Sequence, residues 1–367
     1  MTPERYDIAI LGGGPAGTAA ALALNIQAPQ LAVVIIESSA YGQPRVGETL
    51  PPTVQPLLAQ LGVWTSFLAE DHLPAYGSCS AWGSDRLESN EFIYGKYGRG
   101  WHLDRRRFDK MLAYEAAKRG SRLFINSSVV NVQKTSTGWR LAMRQGSEHS
   151  TVDATFVIDA TGRRAAFATR YGARKIRVDH LLGAFVFLRC PETEDSYTMV
   201  EADADGWWYS APLPGAGMVA AWMSDADIMK RQQSKKPLHW FAQLQKSAHT
   251  RRRLSSAEPL TQRILQAACS QRLNQVTGDN WLAAGDAAAT CDPLSSQGVF
   301  KALRTGILAS YAIRDFFSGD LSGREKYRLI IEREFAEYLK TRAEFYGQEQ
   351  RWASAPFWQR RAVHQAV

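Results

Sequence analysis

The chain has 367 residues, 45% hydrophobic and 22% charged, a balance that excludes a mostly disordered, collagenous or disulfide-framework protein. At roughly 150 residues per domain, the length predicts two or so domains. Lys and Arg outnumber Asp and Glu by 44 to 36, a net charge of +8, which suits an anionic cofactor, an acidic partner or nucleic acid; a solvated basic surface is the simpler reading.

The first element is a buried strand at Tyr6–Leu11, and Gly12–Gly17 is a glycine-rich turn. Thr18–Asn25 reads as a helix and Leu31–Ile36 as a second strand ending at Glu37, which completes one βαβ unit. A Gly- and Pro-containing loop runs from Ser38 to Pro52, followed by helices at Val54–Leu61 and Asp104–Arg119. Strands are expected at Leu123–Val132, Trp139–Met143, Thr155–Ala160, Leu181–Leu188 and Gly217–Met223, the last two joined through an aromatic stretch at Gly206–Tyr209. Leu238–Leu254 reads as one helix, Asn280–Ala284 as a short strand, Gln297–Phe317 as a long helix, and the remaining C-terminus as charged and helical.

The expected organisation is discontinuous and α/β: a Rossmann-like nucleotide-binding domain carries an inserted, mainly antiparallel β-sheet (α+β) substrate domain. Residues 1–64, 101–174 and 271–320 form the first, 65–100 and 175–270 the second, and 321–367 a C-terminal helical segment. The N-terminus lacks a secretory pattern, and Gly12, Gly13, Gly14 and Pro15 interrupt the longest apolar region, so no membrane span is expected. Cys79, Cys190, Cys269 and Cys291 are far apart and the seven histidines lack ligand spacing, so reduced thiols, a cytoplasmic location and no metal site are expected. Nothing in the chain calls for nucleic acid.

Gly12-Gly13-Gly14-Pro15-Ala16-Gly17 fits G-x-G-x-x-G. Gly12 allows the tight turn, Gly14 lets backbone approach a pyrophosphate, and Gly17 lets helix pack on strand. The N-terminus of the helix that follows the turn offers free N–H groups and a partial positive charge to phosphates. Glu37, 20 residues after Gly17, ends the next strand. Its carboxylate can accept from ribose hydroxyls and would repel a 2′-phosphate, which argues against NADP. Residues 281–298 then read WLAAGDAAATCDPLSSQG. Asp286 can bind hydroxyls of a ribityl chain. Pro293 lies in the loop, and the helix N-terminus at Ser296-Gln297-Gly298 can aim N–H groups at the carbonyl edge of a flavin ring, which favours FAD over NAD.

GGGPAG, Arg45-Val46-Gly47-Glu48-Thr49, Asp104-Arg105-Arg106-Arg107-Phe108, Asp159-Ala160-Thr161-Gly162 and Gly285-Asp286-Ala287 occur in that order. As a set they resemble FAD-dependent monooxygenases of the tryptophan-halogenase-like and geranylgeranyl-reductase-like branch, over about residues 5–310. The resemblance implies a para-hydroxybenzoate-hydroxylase-like fold and a non-covalent FAD. It puts Arg45 and Glu48 near the flavin, Arg105 near the ribityl or phosphate region and Val129 near the adenine. As residues alone, Arg105 also reads as surface, Glu48 as a helix cap and Asp286 as a turn residue.

Flavin-dependent halogenases carry a lysine some thirty residues after the Gly-Glu-Thr segment; here Gly77–Gly83 reads GSCSAWG, without a lysine. Their Trp-x-Trp-x-Ile-Pro segment is also absent, and Gly206–Pro212 reads GWWYSAP. Halogenation is therefore not expected. The Ser-Ala-Trp-Gly, Gly-Trp-Trp-Tyr-Ser and Asp-Pro-Leu-Ser-Ser-Gln-Gly segments instead resemble flavoproteins that mature the cysteine tryptophylquinone of glycine and lysine oxidases. That resemblance implies oxygen insertion, with O2 as co-substrate, into a tryptophan of a partner precursor protein. No second nicotinamide-binding unit is visible, so the electron donor is unassigned, and no catalytic base can be named. Trp82, Trp207, Trp208 and Tyr209 line an aromatic substrate cavity or form sheet core. Cys291 reads as a buried inert thiol or a neighbour of the flavin. Arg251–Arg253 with Lys230, Arg231, Lys235 and Lys236 form a solvated face or receive an acidic partner. Competing functions are a small-molecule aromatic hydroxylase, an alkene reductase, and a flavin-containing assembly factor without chemistry.

Overall fold

The computed structural model describes residues 3–190, 196–232 and 239–362. Lys235 and Lys236 lie outside them. The first strand, Glu4–Leu11, and the next, Val33–Ile36, pair in parallel from Ile8↔Val33 to Leu11↔Ile36, with Val33 to Ile36 all buried. Uninterrupted apolar runs belong here because a parallel strand is covered on both faces. The helix Pro15–Gln27 joins them and buries ten residues, Pro15 to Leu24. Its proline sits at the start, where the missing N–H has no intrahelical partner anyway.

The sheet continues in the order Thr277–Gly278, Trp281–Ala283, Glu148–Asp159, Glu4–Leu11, Val33–Ile36, Arg122–Phe124. Strands read near residues 6, 31, 123, 155 and 281 therefore share one sheet. Leu123–Val132 is not one strand, however. Arg122–Phe124 pairs in parallel with Val33–Ile36, whereas Ser127–Lys134 turns away and pairs antiparallel with Trp139–Gln145. The break falls at Asn126, whose φ of +52° is a conformation that asparagine tolerates.

A second sheet runs Glu258–Pro259, Leu181–Arg189, Gly217–Asp225, Gly206–Leu213, Tyr197–Asp203, Gly77–Ala81, Glu88–Glu91. The aromatic stretch at 206–209 is thus no connection but part of a central strand. The expected helix 238–254 is also interrupted, into His239–Leu244 and His249–Arg253. The second begins where the buried Glu201 carboxylate accepts from the N–H groups of Ala248, His249 and Thr250, satisfying orphan donors as an N-cap does.

Gly298–Phe317 packs along Pro15–Gln27, and a Cβ at Gly306 would collide with the Ala16 carbonyl oxygen. Ser322–Gly347 packs on Gly298–Phe317 and on Pro356–Ala362. The C-terminal helices also cover the second sheet: Trp358 donates to the Asp203 carbonyl at 2.9 Å, and Arg361 pairs with Asp225 at 2.9 Å. Among the described residues, no helix is long and apolar enough to cross a membrane, and no group of three or more His, Cys, Asp or Glu could hold a metal ion.

One buried histidine gives the fold an acid limit. His72 is 5% exposed, and its Nδ1 accepts from the Asp104 N–H at 3.3 Å. Burial, with the Arg107 charge adding to it, pulls its pKa from 6.5 to about 4. A depressed histidine stabilises the fold above its unfolded pKa, and that contribution is lost as pH falls from 6.5 towards 4, by about 3 kcal/mol in all. Thermal melts between pH 7.5 and pH 4 are expected to show a flatter decline for His72→Gln than for the wild type. Parallel curves would show that His72 is not the group being charged.

Candidate active site

The glycine turn has three distinct steric environments. Gly12 has φ +113°, and a Cβ there would collide with the Ala160 carbonyl oxygen. A Cβ at Gly17 would collide with the Gly12 oxygen. At Gly14 a Cβ would meet nothing within 4 Å. Of the three motif glycines, Gly12 and Gly17 are therefore required by the protein's own packing, and Gly14 faces open space. The helix behind Gly14 has no side-chain cap and no acidic residue in its first turn, so its N–H groups and positive dipole end are left for an anion.

Glu37 closes this turn from the side. Its carboxylate, 5% exposed, accepts from Gly13 N–H at 2.8 Å and from Ser39 N–H at 2.9 Å. Tyr41 donates its hydroxyl to the Gly13 carbonyl at 3.0 Å. Arg45 bridges Glu37 and Asp109, each at 3.3 Å. Asp109 is fully buried and also holds Arg105 at 3.0 Å, one helical turn away. Arg105 then donates to the carbonyls of Val46 and Gly47 at 2.9 and 3.2 Å. Tyr41 and Asp109 escaped the sequence reading; for Asp109 the i,i+4 spacing from Arg105 was the available signal. Val129 is half-buried on the strand whose first residue, Ser127, donates to the Glu37 carbonyl.

The C-terminal part arrives from the other side. A Cβ at Gly285 would stand 2.6 Å from the Ala16 side chain, so the two distant glycine motifs touch. Asp286 is paired with Lys301 at 3.2 Å and Arg163 at 3.7 Å, and its charge reaches Arg105. Pro293 starts a short turn capped by Asp292, and Ser296 has φ +50°. Gly298 opens the long helix, which also lacks a side-chain cap. The glycine turn, Glu37, Arg45 and Arg105 are thus joined through Asp109 and the Gly13 N–H, and the Gly285-Asp286 segment meets them at Ala16.

The loop is held from behind by a network the sequence did not reveal. Asp292, 1% exposed, accepts from Arg342 and from the Tyr346 hydroxyl, at 3.4 and 2.7 Å. Its N–H donates to the Tyr338 hydroxyl at 2.7 Å. Burial pushes the Asp292 carboxyl up, with Arg342 opposing the shift.

Beside this loop opens a cavity of about 1020 Å³. Its walls include Thr49, Cys79, Trp82, Thr198, Lys301 and Phe345. Trp82 is anchored by its indole N–H to the Phe345 carbonyl at 2.8 Å. Trp207 and Trp208 do not line it. They are consecutive on a strand and must face opposite sides of the sheet. Trp207 packs among Tyr346, Phe357 and Trp358, and Trp208 stacks edge-on against Trp240 at 5.1 Å. Both are core. Tyr209 reaches the wall only through its hydroxyl, 2.8 Å from Thr49 Oγ1. Cys291 lies on the wall with its thiol 3.8 Å from the Lys301 ammonium, and burial pushes its pKa up, the direction of an unreactive thiol. In the basic run, Arg253 turns inward to Ser210 and Tyr197, while Lys230 and Arg251 are exposed.

The model of a family described as "FAD binding domain" matches residues 5–312. The chain belongs to this family. It is an FAD-dependent flavoprotein, and the open groove at Gly14, the uncapped helix ends and the acidic Glu37 fit that cofactor. A protein of Marinomonas mediterranea named as an FAD-dependent oxidoreductase, LodB, is 28% identical over 99% of each chain. Among solved structures, the flavin-dependent halogenase CmlS superposes with a TM-score of 0.87 at 26% identity, over 98% of this flavoprotein and 68% of CmlS. The peptidyl tryptophan dihydroxylase QhpG, described as essential for tryptophylquinone cofactor biogenesis, has the same fold, with TM-score 0.77 and 24% identity over 97% of this chain and 78% of its own. The mixed α/β architecture is that of flavin-dependent halogenases and hydroxylases.

Proposed function

We propose that this flavoprotein is an oxygenase that hydroxylates a tryptophan in a partner precursor protein during biogenesis of a tryptophylquinone-type cofactor. The observation that carries this reading is the cavity. The cavity, about 1020 Å³, runs from Gly285 and Ser296, beside the residues assigned to the cofactor, to Trp82 and Phe345, so an aromatic side chain entering it stands next to the flavin. Its strand Gly77–Ala81 offers Ser78, Cys79 and Ser80 where the halogenase resemblance calls for an amine. The cavity lysine, Lys301, is engaged by Asp286 and by the Ala289 carbonyl. The fold shared with QhpG agrees with the reading.

In this reading Gly12, Gly14, Ala16 and Gly17 cradle the pyrophosphate, Glu37 takes ribose hydroxyls and Val129 flanks the adenine. Arg45, Glu48 and Arg105 serve the middle of the cofactor, Asp286 the ribityl chain, and Pro293, Ser296 and Gly298 the ring edge. When bound, the flavin supplies the electrons that activate O2 for insertion into an electron-rich ring. The chain's own work is to orient the target indole, with Trp82 as an anchored aromatic wall, and to keep water out.

Intact masses of candidate partner proteins, co-expressed with and without this chain, test the proposal. A gain of one or two oxygens only in its presence is expected. No change in any partner, together with turnover of a soluble aromatic or alkene, would replace it with a small-molecule activity. Maturation by a variant that cannot hold FAD would replace it with an assembly role.

A further inference from the structure

Beneath the cavity wall lies a buried acid with no part in the account above beyond its place near the cofactor. Glu48 is 2% exposed. It accepts from the Gly47 N–H at 2.9 Å and contacts the Tyr209 hydroxyl through Oε1. Tyr209 Oη is 2.8 Å from Thr49 Oγ1, and Thr49 Oγ1 is 3.0 Å from Thr198 Oγ1. Both threonines line the cavity. Three hydroxyls in a row thus join one interior carboxyl group to the cavity surface.

We infer that Glu48, Tyr209, Thr49 and Thr198 form a proton-conducting chain whose store is the Glu48 carboxyl and whose outlet is the cavity. A hydroxyl both donates and accepts, so a row of hydroxyls can pass a proton along by turning each bond around. In the loaded state the Glu48 acid donates to Tyr209, Tyr209 to Thr49 and Thr49 to Thr198. On discharge Thr198 releases a proton into the cavity, each hydroxyl takes one from the group behind it, and Glu48 is left as carboxylate accepting from Tyr209. The surroundings support both states. Burial raises the Glu48 pKa, which favours the loaded acid, while the Tyr209 hydrogen bond and the Arg105 charge offset the cost of the carboxylate. Among the other charges, Asp286 acts on Arg105 and Arg253 on Tyr209, the latter held by the Ser210 and Tyr197 carbonyls. The short strand Thr49–Leu50 pairs antiparallel with Gly100–His102, which sets His102 opposite Thr49 with its Nε2 against the Ser196 carbonyl.

The chain serves the reaction common to FAD oxidoreductases that use O2. Two-electron reoxidation, FADH⁻ + O2 + H⁺ → FAD + H2O2, consumes one proton and runs without organic substrate. The inference therefore rests on the flavin alone and not on the partner protein proposed above.

Stopped-flow reoxidation of the photoreduced holoprotein by O2, without any partner, tests it across pH. The wild-type rate is expected to fall as pH rises and Glu48 discharges. Thr49→Val and Tyr209→Phe break the chain and are expected to slow reoxidation by about tenfold and remove that pH dependence. Thr49→Ser restores the hydroxyl and is expected to return both to within about twofold of wild type. The store is read independently of turnover: an infrared carbonyl band of a protonated carboxylic acid, present in the apoprotein at neutral pH, is expected to vanish in Glu48→Gln. Wild-type rates and pH profiles in Thr49→Val and Tyr209→Phe overturn the inference, as does a band unchanged in Glu48→Gln. If Glu48→Gln or Tyr209→Phe fails to fold, the Thr49→Val and Thr49→Ser pair decides.

Discussion

Replacing Gly14 by valine is expected to give a folded but colourless protein. The backbone permits the change, because Gly14 has φ −77°, an ordinary value for any residue. The packing permits it too, because a Cβ there meets nothing within 4 Å of the protein. The new side chain fills only the groove above the helix N-terminus, where N–H groups must come within hydrogen-bond distance of phosphate oxygens. An affinity loss of about a hundredfold or more is expected, about 2.8 kcal/mol, with a far-ultraviolet spectrum like that of the wild type. Gly17→Val is the contrasting case. Its Cβ collides with the Gly12 oxygen and approaches Ile10, so it is expected to lose fold and flavin together. Titration of both apoproteins with FAD, followed by flavin fluorescence, separates them. Wild-type affinity in Gly14→Val would move the pyrophosphate elsewhere.

The second large effect is structural and lies far from the glycine turn. Arg342 has a side chain 5% exposed and pairs with Asp179 at 3.0 Å and Asp292 at 3.4 Å. Its guanidinium also lies over the Tyr346 ring, 4.8 Å from the centroid. Arg342→Leu keeps most of the apolar stem but leaves two carboxylates facing each other in the interior. Breaking a buried pair from one side costs about 3–5 kcal/mol, which corresponds to a fall in Tm of about 4–7 °C in a chain of this size. The deficit is expected to shrink towards pH 4, because carboxylates deprived of their cation bind protons more tightly in the folded state and low pH supplies them. Arg342→Leu combined with Asp179→Asn is expected to recover part of the loss. Melting curves of the three proteins at pH 7.5 and pH 4.5 decide, and a deficit equal at both values would assign it to packing alone.

The readable parts of the sequence were those in which a residue's task is set by its immediate neighbours. Gly12 needs a left-handed backbone, Pro15 starts a helix, and the run from Val33 to Ile36 suits only a strand covered on both faces. These demands act over a few residues. They sufficed to place the turn, Glu37, the Gly285-Asp286 segment and the long helix in one nucleotide-binding arrangement.

Pairing between distant segments could not be read in this way. Glu48 and Tyr209 are 161 residues apart and meet only because the segment carrying Glu48 and Thr49 packs against the second sheet. Asp292 meets Tyr346 across 54 residues because Ser322–Gly347 folds back over the loop. Trp207 and Trp208 carry the same side chain on the same strand, and only the placement of a helical layer on each sheet face sends both into core and leaves Trp82 on the cavity wall. Local backbone preference and hydrophobic period are properties of short stretches, so the sequence alone determined the flavin-binding frame. Which side chains face the cavity depends on register and on what covers each face, and those are settled only when the whole chain packs.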